Sequence, residues 1–196
     1  MNGSYFPILN LAAGIDEVGL GALVGNVISA AVILNPLFPI FGLKDSKKLS
    51  FKKRLLFFHS IKNKAKAWSI GRSTSMEIDK LNVLQASLLS MKRAVNNLKV
   101  KPNFLFIDGK NKIDISIASI SIVNGDNLIN EISAASIVAK VIRDYEMLQL
   151  DKLFPQYGFA KHKGYPTKYH LDMLKKYGPI SQHRFTFSSL IKLKNI

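Results

Sequence analysis

Residues 9–34 read LNLAAGIDEVGLGALVGNVISAAVIL, two apolar runs separated by a glycine-rich segment. The first run, Leu9–Asp16, is typical of a strand that ends in a carboxylate, and the glycines after it favour a bend. The second run, Val27–Leu34, has the length and β-branched content of a buried strand that stops at Asn35-Pro36. Charged residues are absent from Val18 to Leu43, so the length alone would permit a membrane span. Because glycine, asparagine and proline interrupt this stretch, we interpret it as a strand with loops.

The rest of the chain contains both strand patterns and helix patterns. Strands are predicted at Ala67–Ser73, Phe104–Ile107 and Ile117–Val123. Apolar residues spaced three and four apart predict an amphipathic helix from Glu77 to Leu98. Further helices are predicted at about Leu128–Leu150 and near Lys168–Lys176. Helices interspersed with strands indicate an α/β fold, which we interpret as one domain over residues 1–196, with a core at about 9–153 and a C-terminal helical extension at about 154–196.

The composition points to a polyanionic partner. There are 28 Lys and Arg against 13 Asp and Glu, a formal charge of +15, which suits phosphate backbones or anionic lipid. Nucleic acid is favoured because no basic amphipathic helix dominates the chain. The chain has no cysteine, which excludes disulfides and zinc–thiolate sites and suits a reducing compartment. The N-terminus lacks the charged start of a secretory signal, so we expect a cytoplasmic protein, and a monomer because no interface signature is present.

Carboxylates follow three of the predicted strands. Asp16 and Glu17 end the first, Asp108 ends Phe104–Ile107, and Asp126 follows Ile117–Val123. Binding sites form at strand ends in α/β sheets, and a cluster of four acids needs cations to offset its repulsion. Oxygen ligands without Cys or a His pair favour Mg²⁺ or Mn²⁺ over zinc. Adjacent residues of an ideal strand face opposite sides, so Asp16 and Glu17 can share a site only if the strand bends there.

Seven segments, in order, resemble the motifs of the ribonuclease HII family, the type 2 ribonucleases H. GIDEVGLG at Gly14–Gly21 resembles the family's GIDEAGRG opening. The others are DSKKLS (45–50), EIDKLNVLQASLLSMKRAV (77–95), IDG (107–109), GD (125–126), ISAASIVAKVIRD (132–144) and FPQYGFAKHKGYPTKYH (154–170). The matches run from about residue 12 to 185.

The resemblance implies a ribonuclease H-like fold, a five-stranded mixed sheet flanked by helices with a C-terminal helical extension. It implies an endonuclease that hydrolyses the RNA strand of RNA–DNA hybrids and cuts 5′ of ribonucleotides embedded in duplex DNA, leaving 5′-phosphate and 3′-hydroxyl ends. Asp16, Glu17, Asp108 and Asp126 match the family's four acidic positions, which implies that they are catalytic and bind two Mn²⁺ or Mg²⁺ ions.

Further matches imply contacts with the substrate. Gly19 and Gly21 resemble glycines whose backbone approaches the ribose 2′-hydroxyl, and Tyr165 resembles a tyrosine that packs against the sugar. The other nucleic-acid-binding positions implied by the resemblance are Leu20, Lys47, Lys48, Asn82, Gln85, Lys161 and Lys163. Leu20 is a departure, because the family has Gly-Arg-Gly where this chain has Gly-Leu-Gly. The missing arginine should weaken phosphate contact by about 1–3 kcal/mol.

Three alternative functions compete with this interpretation. Leu20 could leave a hybrid-binding protein with impaired catalysis, although the intact acidic quartet argues against that. A basic RNA-binding module would explain the charge but not the acids. A general DNA nuclease would be distinguished by comparing all-DNA duplexes with duplexes that contain ribonucleotides.

Overall fold

The structure, a computed structural model, describes residues 11–194. Its sheet consists of β1 (Ala12–Val18), β2 (Val27–Ile33), β3 (Ala67–Ser73), β4 (Phe104–Asp108) and β5 (Ser119–Ile122). The order is β3-β2-β1-β4-β5, with antiparallel pairing among β1, β2 and β3 and parallel pairing among β1, β4 and β5. The predicted five-stranded mixed sheet is confirmed. The predicted start of the first strand at Leu9 and both ends of the predicted domain lie outside the described residues.

Helices cover both faces of this sheet. In chain order they are α1 (Phe51–Lys64), α2 (Ser75–Leu81), α3 (Val83–Asn96), α4 (Gly125–Leu128), α5 (Asn130–Leu153), α6 (Phe159–His162), α7 (Lys168–Tyr177) and α8 (Ser188–Lys194), with 3-10 turns at Ser46–Lys48 and Pro155–Tyr157. Met91 of α3 packs with Ile15 and Ile107 on one face. Ile137 of α5 packs with Val32 on the other face. The core is therefore two layers of apolar contact, one on each side of the sheet.

Helix α5 approaches β1 closely at Gly14. A Cβ atom at Gly14 would lie 2.0 Å from the carbonyl carbon of Glu131, so no side chain fits there. Ala134, Ala135 and Ser136 follow in α5 and are buried, as expected of small residues in a helix that sits close to a sheet. The close approach brings Ser136 within hydrogen-bonding reach of Asp16.

The predicted helix from Glu77 to Leu98 is wrong in one respect, because it is broken at Asn82. Asn82 has a φ of 71°, and its side chain accepts a hydrogen bond from the backbone N–H of Gln85 at 3.0 Å. With a ψ of 162°, this positive-φ backbone is one that favours glycine, but the asparagine side chain caps α3, so α2 ends and α3 begins at a single residue. The apolar spacing continues across the break and conceals it. The predicted strand Ile117–Val123 is also too long, since pairing with β4 covers only Ser119–Ile122.

The last helices pack against the glycine-rich bend. Tyr157 and Phe159 form a buried cluster with Met147 of α5 and with Leu23 and Val24 of the bend. The helix predicted near Lys168–Lys176 is confirmed as α7. The division of the chain into a core and an extension stays a prediction.

No helix within residues 11–194 is both long and apolar enough to cross a bilayer. The charge-free stretch instead forms β2, whose seven residues are all buried, and its flanking loops.

Candidate active site

The ends of β1 and β4 bring two of the predicted acids to one edge of the sheet. Ile15 pairs with Ile107 in the parallel register, so Asp16 and Asp108 occupy the next position on neighbouring strands. Asp108 pairs in turn with Ile122, the last residue of β5. The chain then turns through Asn124, which adopts a left-handed conformation, and places Asp126 in the first turn of α4.

Asp16 is buried, with 6% of its surface exposed. Its Oδ1 accepts a hydrogen bond from the backbone N–H of Glu17 at 2.7 Å. Burial, and then repulsion from Glu17 and Asp108, raise the pKa of Asp16 well above its usual value, although a hydrogen bond from Ser136 opposes the rise.

Glu17 and Asp108 line one groove of about 190 Å³, together with Leu20 and Leu84. Burial, and then repulsion from Asp108, raise the pKa of Glu17 to about 7, and Asp126 contributes in the same direction. Repulsion from Asp108 raises the pKa of both Asp16 and Glu17, so both of these adjacent acids lie near Asp108. The strand ends at Val18, and Gly19 follows with a φ of 96°.

Asp126 is linked to both the acids and the lysines. Its backbone N–H donates to Asp108 Oδ1 at 3.4 Å, and its own Oδ2 lies 3.8 Å from the Lys47 ammonium. Burial, and then the charges of Asp45 and Asp108, raise the pKa of Asp126. Burial alone would lower the pKa of Lys47, but Asp45 and Asp126 outweigh it and the pKa is raised.

Negative charge outweighs positive charge among these four acids, since Lys47, 3.8 Å from Asp126 Oδ2, is the ammonium group that pairs with one of them in the described part of the chain. Among residues 11–194, no three carboxylate or imidazole side chains are positioned to share one ion. Raised pKa values nevertheless show that the cluster favours protons, and a divalent cation would offset the same repulsion. The donor atoms are carboxylate oxygens, which Mg²⁺ and Mn²⁺ prefer. The residues therefore fit such ions chemically.

The glycine bend after β1 lies against Tyr165. A Cβ atom at Gly21 would lie 3.8 Å from Tyr165 Cε1, and nothing nearer stands above that glycine. A Cβ atom at Gly19 would come within 3.2 Å of the Asn26 carbonyl oxygen. Leu20, between the two glycines, is 38% exposed. The structure thus brings together the bend and the tyrosine that the sequence singled out separately.

Two buried arginines hold this bend from the protein interior, and the sequence analysis assigned no role to either. Arg184 donates from Nη1 to the Leu20 carbonyl at 2.9 Å and from Nε and Nη2 to the Gly25 carbonyl at 3.0 and 2.9 Å. Arg143 Nη2 donates to the Val24 carbonyl at 2.7 Å. Burial lowers the pKa of Arg143 to about 10 and that of Arg184 to about 9. The chain has only five arginines among its 28 basic residues, so an arginine is unusual here. That rarity was the one sequence signal for a position that needs a planar guanidinium.

The remaining predicted contact residues occupy three places. Lys48 Nζ donates to Asn127 Oδ1 at 2.5 Å, beside Asp126. Asn82 caps α3, and Gln85 is exposed in its first turn, close to where Leu84 lines the acidic groove. The other two, Lys161 in α6 and Lys163 directly after it, precede Tyr165 in the chain, and the Lys163 ammonium donates to the Ala160 carbonyl.

Comparisons with known proteins agree with this geometry. The sequence model of the family described as Ribonuclease HII matches residues 13–190. The crystal structure of ribonuclease H2 from Pyrococcus horikoshii OT3 superposes with a TM-score of 0.78 at 24% identity, covering 94% of this chain and 97% of that one. Ribonuclease HII in the PCNA complex from Archaeoglobus fulgidus gives 0.79 at 22% identity with the same coverage. Bst-RNase HIII in complex with Mn²⁺ gives 0.74 at 19% identity, covering 95% of this chain and 70% of that one.

Proposed function

Because the chain belongs to the ribonuclease HII family, we propose that it cuts duplex DNA on the 5′ side of embedded ribonucleotides and leaves 5′-phosphate and 3′-hydroxyl ends. Membership makes it a metal-dependent ribonuclease H, an endonuclease that acts on RNA–DNA hybrids. The observation that carries the finer proposal is the meeting of the glycine bend with Tyr165 beside the acids at the end of β1.

Asp16, Glu17, Asp108 and Asp126 are the proposed ligands of two Mn²⁺ or Mg²⁺ ions. Their raised pKa values and shared neighbourhood support this assignment. When bound, two such ions supply activation of the attacking water and neutralisation of charge on the leaving 3′-oxygen. The backbone N–H of Glu17 holds Asp16 in place through a hydrogen bond to Oδ1.

The bend from Gly19 to Gly21 is the proposed reader of the ribose. A backbone without side chains at both glycines can approach a 2′-hydroxyl, the group that distinguishes RNA from DNA. Tyr165 stands next to Gly21 and offers a ring, 37% exposed, for the adjoining sugar. Lys47 and Lys48, beside the acids, are proposed to hold phosphates, with weaker roles for Asn82, Gln85, Lys161 and Lys163.

The wider role is part of the same proposal. An enzyme that opens DNA at ribonucleotides would start their excision during DNA replication and repair. We propose that the protein acts in the cytoplasm, a reducing compartment that suits a chain without cysteine. We also propose that it acts as a monomer.

Digestion of a duplex that contains one ribonucleotide tests the proposal. With Mg²⁺ or Mn²⁺, the wild-type protein is expected to nick 5′ of the ribonucleotide, and end mapping identifies the product ends. Asp16→Asn should reduce the rate by at least about 10²-fold, because a charged ligand is lost. Asp114→Asn is the matched control, since Asp114 is fully exposed and pairs only with Lys92 at the surface.

Near wild-type cleavage by Asp16→Asn would contradict the assignment of the acids. Equal cutting of an all-DNA duplex would favour a general DNA nuclease. Binding of the duplex by the wild-type protein without nicking would favour the binding-only alternative.

A further inference from the structure

Besides the groove lined by Glu17 and Asp108, the protein has a cavity with a basic lining beside the acidic site. It has a volume of about 750 Å³ and opens between the chain segment before α1 and the outer side of α1. Its lining includes Lys44, Lys48 and Lys53 together with the hydroxyl residues Ser50 and Ser60 and the ring of Phe57. We call this cavity the α1 groove.

The α1 groove has an excess of positive charge without counter-charge. Residues 44–66 contain nine Lys and Arg and one acid, Asp45. Asp45 is buried, and its side chain accepts from the backbone N–H of Lys47, so it does not face the groove. Within residues 11–194, the ammonium groups of Lys44 and Lys53 form no ion pair, and no carboxylate lines the groove. Such a surface attracts a polyanion.

Its position connects the groove to the acids. Lys48 lines the groove, and its ammonium lies 2.5 Å from Asn127 Oδ1, next to Asp126 in the chain. The neighbouring Lys47 lies 3.8 Å from Asp126 Oδ2. A sugar–phosphate strand that passes the acids at this edge would therefore continue past Lys48 into the α1 groove.

The chemistry of the lining suits a phosphate backbone. Lysine ammonium groups and serine hydroxyls both donate hydrogen bonds to phosphate oxygens. The three lysines are exposed, so they can meet successive phosphates without a desolvation cost.

We infer that the α1 groove binds phosphates of the substrate duplex on one side of the cleavage point, beyond the contacts made by Lys47 and Lys48. This inference rests on the proposed function, because it takes the bound polyanion to be the duplex that is cut. It adds Lys44 and Lys53 to the nucleic-acid interface as sequence-independent anchors.

Binding measurements on a series of duplexes test this inference. Each duplex carries one ribonucleotide and is shortened base pair by base pair from one end or the other, and dissociation constants are measured by fluorescence anisotropy without divalent ions. The variant is the double change Lys44→Ala and Lys53→Ala. The control is the double change Lys62→Ala and Lys64→Ala, which removes two exposed lysines from the last turn of the same helix, outside the groove.

The wild-type protein should lose affinity when shortening passes one boundary on one side. The groove variant should bind the longest duplex about tenfold more weakly and show no further loss at that boundary, because the contact is already gone. The slope of log affinity against log salt should also become less steep by about two, one for each phosphate contact removed. The control should behave like the wild-type protein in all three respects.

Equal affinity of the groove variant and the wild-type protein for the longest duplex would overturn the inference. An equal loss in the control would do the same, because it would show only the effect of net charge. Nicking of the shortest duplex should be the same in the groove variant and the wild-type protein. Absence of nicking by the wild-type protein itself would instead contradict the proposed function, so the two failures are distinguishable.

Discussion

Arg184 Nη1 lies 2.9 Å from the carbonyl oxygen of Leu20, although the two residues are 164 positions apart. The guanidinium also donates twice to the Gly25 carbonyl, so one side chain supports the backbone within the glycine bend and four residues after it. Because this support reaches the backbone and not the Leu20 side chain, the bend does not depend on which residue stands between Gly19 and Gly21. The departure from the family's Gly-Arg-Gly pattern therefore leaves the proposed backbone contact with the ribose available.

Arg184→Ala should destabilise the protein and slow cleavage. It removes a fully buried side chain and leaves two partly buried carbonyl groups without these donors, which we expect to lower the free energy of unfolding by about 2–4 kcal/mol. Urea denaturation measures this loss, and kcat/KM on a single-ribonucleotide duplex measures the effect on the bend. Arg72→Ala serves as the control, because Arg72 forms a partly exposed ion pair with Glu146 that is worth under about 1 kcal/mol. Equal losses in the two variants would contradict the role given to Arg184.

Leu20→Arg should increase cleavage of a duplex with a single ribonucleotide. A guanidinium at this exposed position restores a charge-assisted phosphate contact worth about 1–3 kcal/mol, or roughly 5- to 160-fold in kcat/KM. Leu84→Arg is a matched control, since Leu84 lines the same groove and is 45% exposed. If both variants gain equally, the effect is one of general charge, and if neither gains, Leu20 does not limit the reaction.

Divalent ions should stabilise the folded protein even without substrate. Ions that bind the acidic cluster bind only the native state, so Mn²⁺ or Mg²⁺ at about 100 times its dissociation constant adds about 2–3 kcal/mol and raises Tm by roughly 4–10 °C. Glu17→Gln should be more stable than the wild-type protein without metal, because a repelling charge is removed.

Differential scanning fluorimetry with and without metal makes the comparison. Glu17→Gln should lose most of the metal-induced rise in Tm, whereas Asp114→Asn should keep all of it. A rise of the same size in Glu17→Gln and the wild-type protein would show that the ions bind elsewhere.

The strand ends were predictable because their signal is local. The apolar run that stops at Asp108 marks both the end of β4 and its acid. The end predicted at Asp16 is wrong by two residues, because β1 continues to Val18 and its pairing with β2 includes Glu17. Whether these ends were neighbours depended on pairing between β1 and β4, which lie about 90 residues apart. The family resemblance supplied that information, and the spacing of the residues did not.

The features that sequence reasoning missed depend on contacts across the fold. The buried position of Arg184 follows from the docking of the C-terminal segment on the bend, which no periodicity reveals. The break at Asn82 is concealed because the apolar residues before and after it keep a helical spacing. Only the left-handed backbone of Asn82, and the cap that its side chain forms, distinguish two helices from one.

Substitutions at Asn82 test this account of the break. Asn82→Ala should lower the free energy of unfolding by about 1–3 kcal/mol, because it removes the cap and strains a residue with positive φ. Asn82→Gly should cost much less, since glycine adopts this conformation freely. Urea denaturation of both variants measures the two losses in the free energy of unfolding. Equal stability of the two would show that the left-handed backbone is not required.

The paired histidines His170 and His183 should make stability sensitive to mild acid. Their Nε2 atoms lie 3.2 Å apart, while His170 Nδ1 contacts the Tyr165 carbonyl at 3.0 Å and His183 Nδ1 accepts from the backbone N–H of Ile180 at 3.0 Å. Two neutral rings satisfy this chain, with His183 donating to His170. Burial lowers the pKa of each to about 4. The neighbouring His162 also lowers the pKa of His170, and His170 lowers that of His183.

An unfolded histidine takes up a proton near pH 6.5, whereas each member of the pair does so only near pH 4 in the folded protein. The unfolded state therefore binds more protons between these values, and the pair's contribution to stability is lost as pH falls from about 6.5 to about 4, on the order of 3 kcal/mol for each histidine. Urea denaturation at several pH values should show that His170→Gln has a shallower dependence than the wild-type protein. The acids act in the opposite direction, so the difference between variant and wild-type protein isolates the histidines. His59→Gln, on the exposed side of α1, should leave the dependence unchanged, and an unchanged dependence in His170→Gln would contradict the neutral pair.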